Sequence, residues 1–190
     1  KRPAGSLSED RERYQTIYSK HRGAIAAPTA GLHFTPAVLA EVKNIASLAE
    51  ITLHVGYGTF EPVRVDDVMD HSVSSEHFEI SDTAAHTINA ARANGGRIIV
   101  VGTTTMRALE SAATEDGAIK TGSGVASLTI KPGHKFRIAD ALLTNFHLPR
   151  SSLLILVSAF AGRELILRAY RHAVDKRYRF YSYGDCMLIL

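Results

Sequence analysis

Cysteine is nearly absent from these 190 residues: Cys186 stands alone, which excludes an internal disulfide framework and a four-cysteine zinc site. A single thiol fits a reducing compartment, and packing must hold the fold. Long hydrophobic runs are missing too. The longest, 153–161, is broken by Ser158 and falls far short of the roughly 20 residues of a membrane-spanning helix, so it reads as a buried segment. No charge dominates: 22 Lys and Arg against 19 Asp and Glu leave +3, which suits a polyanionic partner without requiring one. Lys1-Arg2-Pro3-Ala4-Gly5 has neither an initiator methionine nor the apolar centre of a signal peptide, so the chain is expected to continue upstream.

What is present reads as α/β with a mixed sheet flanked by helices, and no repeat of 20 to 50 residues interrupts it. Helices are expected over 8–20 and 36–48, the second capped by Thr35, opened by Pro36 and given an apolar face by Val38, Leu39, Val42, Ile45 and Ala46. Alternation predicts a strand over 50–55, 76–80 reads as a short strand, and Ser81 caps a helix through Asn94 that Gly95-Gly96 closes. A β-branched strand over 97–101 precedes a helix over 103–113. Strands over 124–130 and 135–139 are expected to join across Lys131-Pro132-Gly133-His134, followed by helices over 151–161 and 163–175 and a strand over 179–190.

Chemistry is suggested first by Val101-Gly102-Thr103-Thr104-Thr105-Met106-Arg107, where a strand hands over to a helix. Free amides at a helix start carry partial positive charge, so a carboxylate or phosphate fits against Gly102, Thr103, Thr104 and Thr105, with Arg107 beside it. A cap alone needs only one threonine. Gly56-Tyr57-Gly58-Thr59 leaves another strand but lacks the third glycine of a dinucleotide fingerprint; either a close ligand or a tight turn explains its glycines. A P-loop is missing. None of the nine histidines pairs at i, i+4, and no metal is assigned. His33 and His147 lie in loops among small or amide residues, where a histidine either moves protons or hydrogen-bonds the backbone. Tyr178, Phe180, Tyr181 and Tyr183 are open to two readings, core packing or stacking on unpaired bases. The cations Arg163, Arg168, Arg171, Lys176 and Arg177 read more simply as a solvated helix face than as an RNA-binding one.

Five segments in order resemble signatures of the S-adenosylmethionine:tRNA ribosyltransferase-isomerases of the queuosine pathway. They are Ala27-Pro28-Thr29-Ala30-Gly31-Leu32-His33-Phe34, Leu53-His54-Val55-Gly56-Tyr57-Gly58-Thr59-Phe60, 101–111, Leu143-Thr144-Asn145-Phe146-His147-Leu148-Pro149 and Tyr178-Arg179-Phe180-Tyr181-Ser182-Tyr183-Gly184-Asp185. The resemblance spans nearly the whole chain. It departs at His71-Ser72-Val73-Ser74-Ser75-Glu76, where the family has a methionine and a second histidine at the positions of Val73 and Ser74, and at His134, where the family has tyrosine.

The resemblance implies that residues 1–190 are a partial α/β catalytic domain of a two-domain enzyme, without its N-terminal part and inserted β-barrel domain, and inactive alone. It implies a cytoplasmic monomer acting on tRNA that bears 7-aminomethyl-7-deazaguanine at the wobble position. S-adenosylmethionine is the co-substrate, no metal or membrane is involved, and epoxyqueuosine-tRNA, adenine and methionine are the products. Mapped onto the matching motifs, His33 and His147 move protons; Gly102, Thr103, Thr104, Thr105 and Arg107 hold the methionine carboxylate. Gly56, Gly58 and Thr59 lie along the nucleoside, and Asn145 and Asp185 bind ribose hydroxyls or the exocyclic amine. A tRNA methyltransferase using the same co-substrate, or an inactive tRNA-binding fragment, are the alternatives.

Overall fold

Phe78 and Ile80 turn inward from β2 (Glu76–Ile80) while His77 and Glu79 face solvent, the period-two pattern of a strand with one covered face. The computed structural model, which describes residues 14–21, 23–24, 26–56 and 62–190, builds two three-stranded sheets around one apolar core. In the first, β1 (Thr52–His54) and β4 (Gly122–Ala126) both run antiparallel to the central β2. In the second, β3 (Ile99–Val101) lies parallel to β5 (Ala141–Asn145), and β6 (Cys186–Ile189) pairs antiparallel with the other edge of β5. The α/β class therefore holds, but the mixed sheet is confined to β3, β5 and β6.

The helices start where their caps say. Thr35, Ser81 and Ser151 each accept an N–H three residues on, from Val38, Ala84 and Leu154, at 3.2 Å, opening α1 (Pro36–Ile45), α2 (Asp82–Ala93) and α4 (Ser152–Ala161). Between α2 and α4 comes α3 (Thr103–Ala112), and α5 (Arg163–Asp175) packs against α4. The core joins Met106, Ala108 and Leu109 of α3 to Phe78 and Ile80 of one sheet and Val100 and Leu142 of the other. Helix α1 has no buried residue; Leu39 and Val42 are partly covered, but Val38, Ile45 and Ala46 of its apolar face are exposed.

Three expectations give way. The part of 8–20 that is described, 14–20, forms bends and a turn closed by the Ser19 N–H on the Thr16 carbonyl, not a helix. Strand 135–139 does not form: the Glu110 carboxylate accepts the N–H groups of Arg137, Ile138 and Ala139 at 2.9, 3.1 and 3.2 Å, taking the donors a ladder would need. The preceding turn does form, with the His134 N–H on the Lys131 carbonyl. The last strand is only Cys186–Ile189, because 178–185 folds back as a loop. Among the described residues no helix is long and apolar enough to cross a membrane.

Candidate active site

The carboxyl ends of β3 and β5 lie side by side, the place where open α/β sheets gather ligands. From β3 the chain turns through Gly102, which has φ +92°, a conformation that strains any residue with a Cβ. Its N–H donates to the Leu143 carbonyl at 2.9 Å, tying the turn to β5, and its carbonyl accepts the Met106 N–H at 3.1 Å. Gly102 is also the N-cap of α3 and brings no side-chain acceptor to the first-turn amides, so that end of the helix suits an anion. Thr103 and Thr104 are buried; Thr105 is half-buried, with its Oγ1 on the Gly102 side of the turn.

The 3-10 turn Thr29–His33 packs against β5 and places Ala30 next to Gly102. It ends in half-buried His33, whose Nε2 is enclosed and has no hydrogen-bond partner. Burial lowers the His33 pKa below 6.5, the Asp185 charge opposes that shift, and Arg179 adds to it. Asp185 accepts from the Arg179 backbone N–H at 2.8 Å and from its guanidinium at 2.7 Å, contacts that hold the carboxyl below the usual range and keep it ionised.

Asn145, 2 % exposed at the end of β5, donates Nδ2 to the carbonyls of Tyr181 and Gly184 at 3.2 and 3.4 Å. Two carbonyl acceptors fix the orientation of its amide. The other atom, Oδ1, is then a buried acceptor without a partner, an arrangement that normally costs about 1–3 kcal/mol and calls for a ligand donor. Gly184 keeps the loop tight: a Cβ there would stand 2.6 Å from the Arg179 carbonyl oxygen.

Sequence reasoning placed Arg107 and His147 differently. Arg107 is 4 % exposed and points its donors into the protein: Nε to the Leu128 carbonyl, Nη1 to Glu76 at 2.6 Å, and Nη2 to the carbonyls of Ser74 and Ala126. With four of its five donors used there, it is a brace under α3 and not the partner of an anion at the turn. The carboxylate of Glu76 sits at the first inward position of β2; a charge on an otherwise apolar face is the signal that a buried partner exists. His147 is 7 % exposed, with Nε2 3.0 Å from the Thr144 hydroxyl and its backbone N–H on the Tyr170 hydroxyl at 2.8 Å. Burial lowers its pKa to about 4 and raises that of Tyr170 to about 12, so both are neutral at pH 7.

Gly56, two residues beyond β1, is half-buried with open space beside it, whereas Gly58 and Thr59 lie outside the described residues. A buried pair that the sequence did not suggest, His71 Nε2 and Ser152 Oγ at 2.8 Å, sits at the start of α4. Only a histidine and a serine 81 residues apart carry it, and no local pattern links them. Among the described residues no three His, Cys, Asp or Glu side chains converge as metal ligands.

Comparison with known proteins identifies the family. The chain is 57% identical over 182 residues to the S-adenosylmethionine:tRNA ribosyltransferase-isomerase of Moorella thermoacetica, covering 95% of this chain and 53% of that one. The protein of the same name from Geotalea uraniireducens is 51% identical over 190 residues, 100% of this chain and 55% of its own. A solved structure, S-adenosylmethionine tRNA ribosyltransferase from Thermotoga maritima, superposes with a TM-score of 0.68 at 41% identity, over 85% of this chain and 51% of that one. The chain thus spans about half the length of the curated relatives it matches. Residues 2–189 fit the model of the queuosine biosynthesis protein family, and the chain belongs to that family.

Proposed function

We propose that this chain carries the co-substrate side of an S-adenosylmethionine:tRNA ribosyltransferase-isomerase, with turnover belonging to a protein of the relatives' full length. The reaction moves and isomerises the ribosyl group of S-adenosylmethionine onto 7-aminomethyl-7-deazaguanine at the tRNA wobble position. Epoxyqueuosine-tRNA, adenine and methionine leave. The protein works as a cytoplasmic monomer, and the missing length supplies the rest of the α/β domain and a β-barrel domain.

The observation that carries the reading is the pair of enclosed, unpartnered atoms, Asn145 Oδ1 and His33 Nε2, near the ends of the strands that feed the α3 N-terminus. Bound S-adenosylmethionine supplies the ribosyl group and a sulfonium that acidifies the neighbouring C–H. The first-turn amides of α3 and the Thr105 hydroxyl suit its carboxylate, and Asn145 Oδ1 suits a ribose hydroxyl or an amine. Gly56 leaves room for the nucleoside. His33, kept neutral by burial and faced by ionised Asp185, is the group that takes and returns a proton. His147 holds the end of β5 in place as a neutral ring.

Chromatography of the small products formed by the full-length protein from S-adenosylmethionine and tRNA tests the assignment. Free adenine and methionine are expected; S-adenosylhomocysteine would make the protein a methyltransferase, and no product would leave an RNA-binding role.

A further inference from the structure

Among the described residues three that are not glycine have left-handed backbone: Arg150 at φ +54°, Arg177 at +57° and Tyr181 at +76°. Tyr181 is bonded into its loop through its N–H and carbonyl. The two arginines differ: both are exposed, and among the described residues neither guanidinium has an ion pair or a hydrogen bond. Their backbones are fixed all the same. Arg177 follows the last turn of α5, where its N–H donates to the Val174 carbonyl at 3.0 Å and the Tyr178 N–H to that of Ala173 at 2.8 Å, the paired closure whose left-handed position is ordinarily glycine. Arg150 precedes Ser151, the N-cap of α4, and its carbonyl accepts the Val63 N–H at 2.8 Å. Glycine would meet both conformations at less cost. The helix dipole disfavours a cation at Arg150, which stands at the positive end of α4, and at the end of α5 Lys176 already supplies one. Neither guanidinium is needed by the backbone that carries it.

We propose that Arg150 and Arg177 form a clamp for the RNA strand, each taking a backbone phosphate beside the nucleotide being modified. This rests on the tRNA-directed reading above and deepens it. Both arginines border Phe146, the residue between Asn145 and His147. Arg150 comes shortly after it in the chain, and Arg177 adjoins Tyr178, whose ring meets that of Phe146 with centroids 5.8 Å apart. Asn145 carries the open buried acceptor, so both charges stand close to the proposed reaction centre. A guanidinium presents its donors in a fixed fork that matches a phosphate, and a backbone held by hydrogen bonds fixes the point from which that fork reaches into solvent. Phosphates are alike along any strand, so the clamp sets the register of the RNA while other groups choose the base.

The test titrates the full-length protein with a tRNA anticodon hairpin at several salt concentrations. Arg150→Gly and Arg177→Gly should each weaken binding and reduce the slope of log Kd against log salt by about 0.7–0.9, and the double variant by roughly 1.4–1.8, whatever the loop sequence. Melting temperature should hold, because glycine suits the left-handed backbone, and S-adenosylmethionine affinity should stay at the wild-type value. Arg163→Gln removes the same charge at the other end of α5 and should leave the slope unchanged. Wild-type slopes in the two glycine variants would overturn the proposal, as would an equal loss in Arg163→Gln, since net charge alone would then be acting. A fall in melting temperature would overturn it too, because the guanidinium would then serve the fold. Adenine release is measured in the same samples. If adenine appears while the slopes stay at the wild-type value, the clamp fails and the proposed reaction stands; if the slopes fall as expected and wild type releases no adenine, the reaction fails and the clamp stands.

Discussion

Arg107 and Glu76 meet at 2.6 Å inside the protein, each 4 % exposed, and so fasten α3 to β2. The guanidinium also holds carbonyls of Ser74, Ala126 and Leu128, so one side chain ties two stretches of backbone at the first sheet. Removing one partner takes the opposite charge away from a group that stays in a dry site. Arg107→Met should therefore destabilise the protein by about 3–5 kcal/mol, and adding Glu76→Leu should recover part of that loss. Denaturant midpoints of the two single variants and the double variant check it; a loss under about 1 kcal/mol in Arg107→Met would remove the brace.

The anion site at the α3 N-terminus is probed at Thr105, since Arg107 is committed elsewhere. Thr105→Val should weaken S-adenosylmethionine binding by roughly 10- to 100-fold, the worth of one hydrogen bond to a charged group. Binding of the decarboxylated analogue should change little. Calorimetry with both ligands decides, and equal losses would mean that the hydroxyl supports the turn without touching the carboxylate.

Proton transfer by His33 predicts an acid limb in the pH dependence of kcat/KM that lies below pH 6.5, because burial lowers its pKa. Asp185 pulls that pKa upward, so Asp185→Asn should move the limb further to acid. His33→Ala should lower kcat far more than it weakens co-substrate binding. A limb unmoved by Asp185→Asn, alongside near-normal turnover in His33→Ala, would return His33 to a structural role.

His147 predicts a stability change with a definite sign. The unfolded imidazole binds its proton near pH 6.5, the buried one only near about 4, so between these values the unfolded chain holds more protons. The His147 contribution is complete above pH 6.5 and is lost as pH falls toward 4, by up to ~3 kcal/mol. Denaturant midpoints of wild type at pH 7 and 4.5 should differ by more than those of His147→Gln. Parallel falls would assign the acid sensitivity to other groups.

Much of the local structure was written in short-range pattern. The oxygens of Thr35, Ser81 and Ser151 reach amides three residues away, a contact that needs no distant partner, and the helices behind Thr35 and Ser81 begin where those residues predict. Strand β2 follows from the alternation of Glu76, Phe78 and Ile80. Expectations failed where a remote group competed for the backbone. Residues 135–139 look like a strand until Glu110, 27 to 29 residues away, takes the amides of Arg137, Ile138 and Ala139, and 179–185 look like one until Asn145 and Phe146 hold Tyr181 in a turn.

The sequence by itself determined the α/β class, the starts of α1 and α2, the Gly102 turn after β3 and, through its five motifs, the family. Only the tertiary structure decided that Arg107 faces Glu76 and not the turn, that His147 is neutral, that Asn145 keeps one buried acceptor open, and that Tyr181 sits in a left-handed turn. The division has one physical cause. Caps and strand alternation depend on neighbours within a few residues, whereas the direction, charge and hydrogen bonding of a buried polar side chain depend on which distant segments pack around it.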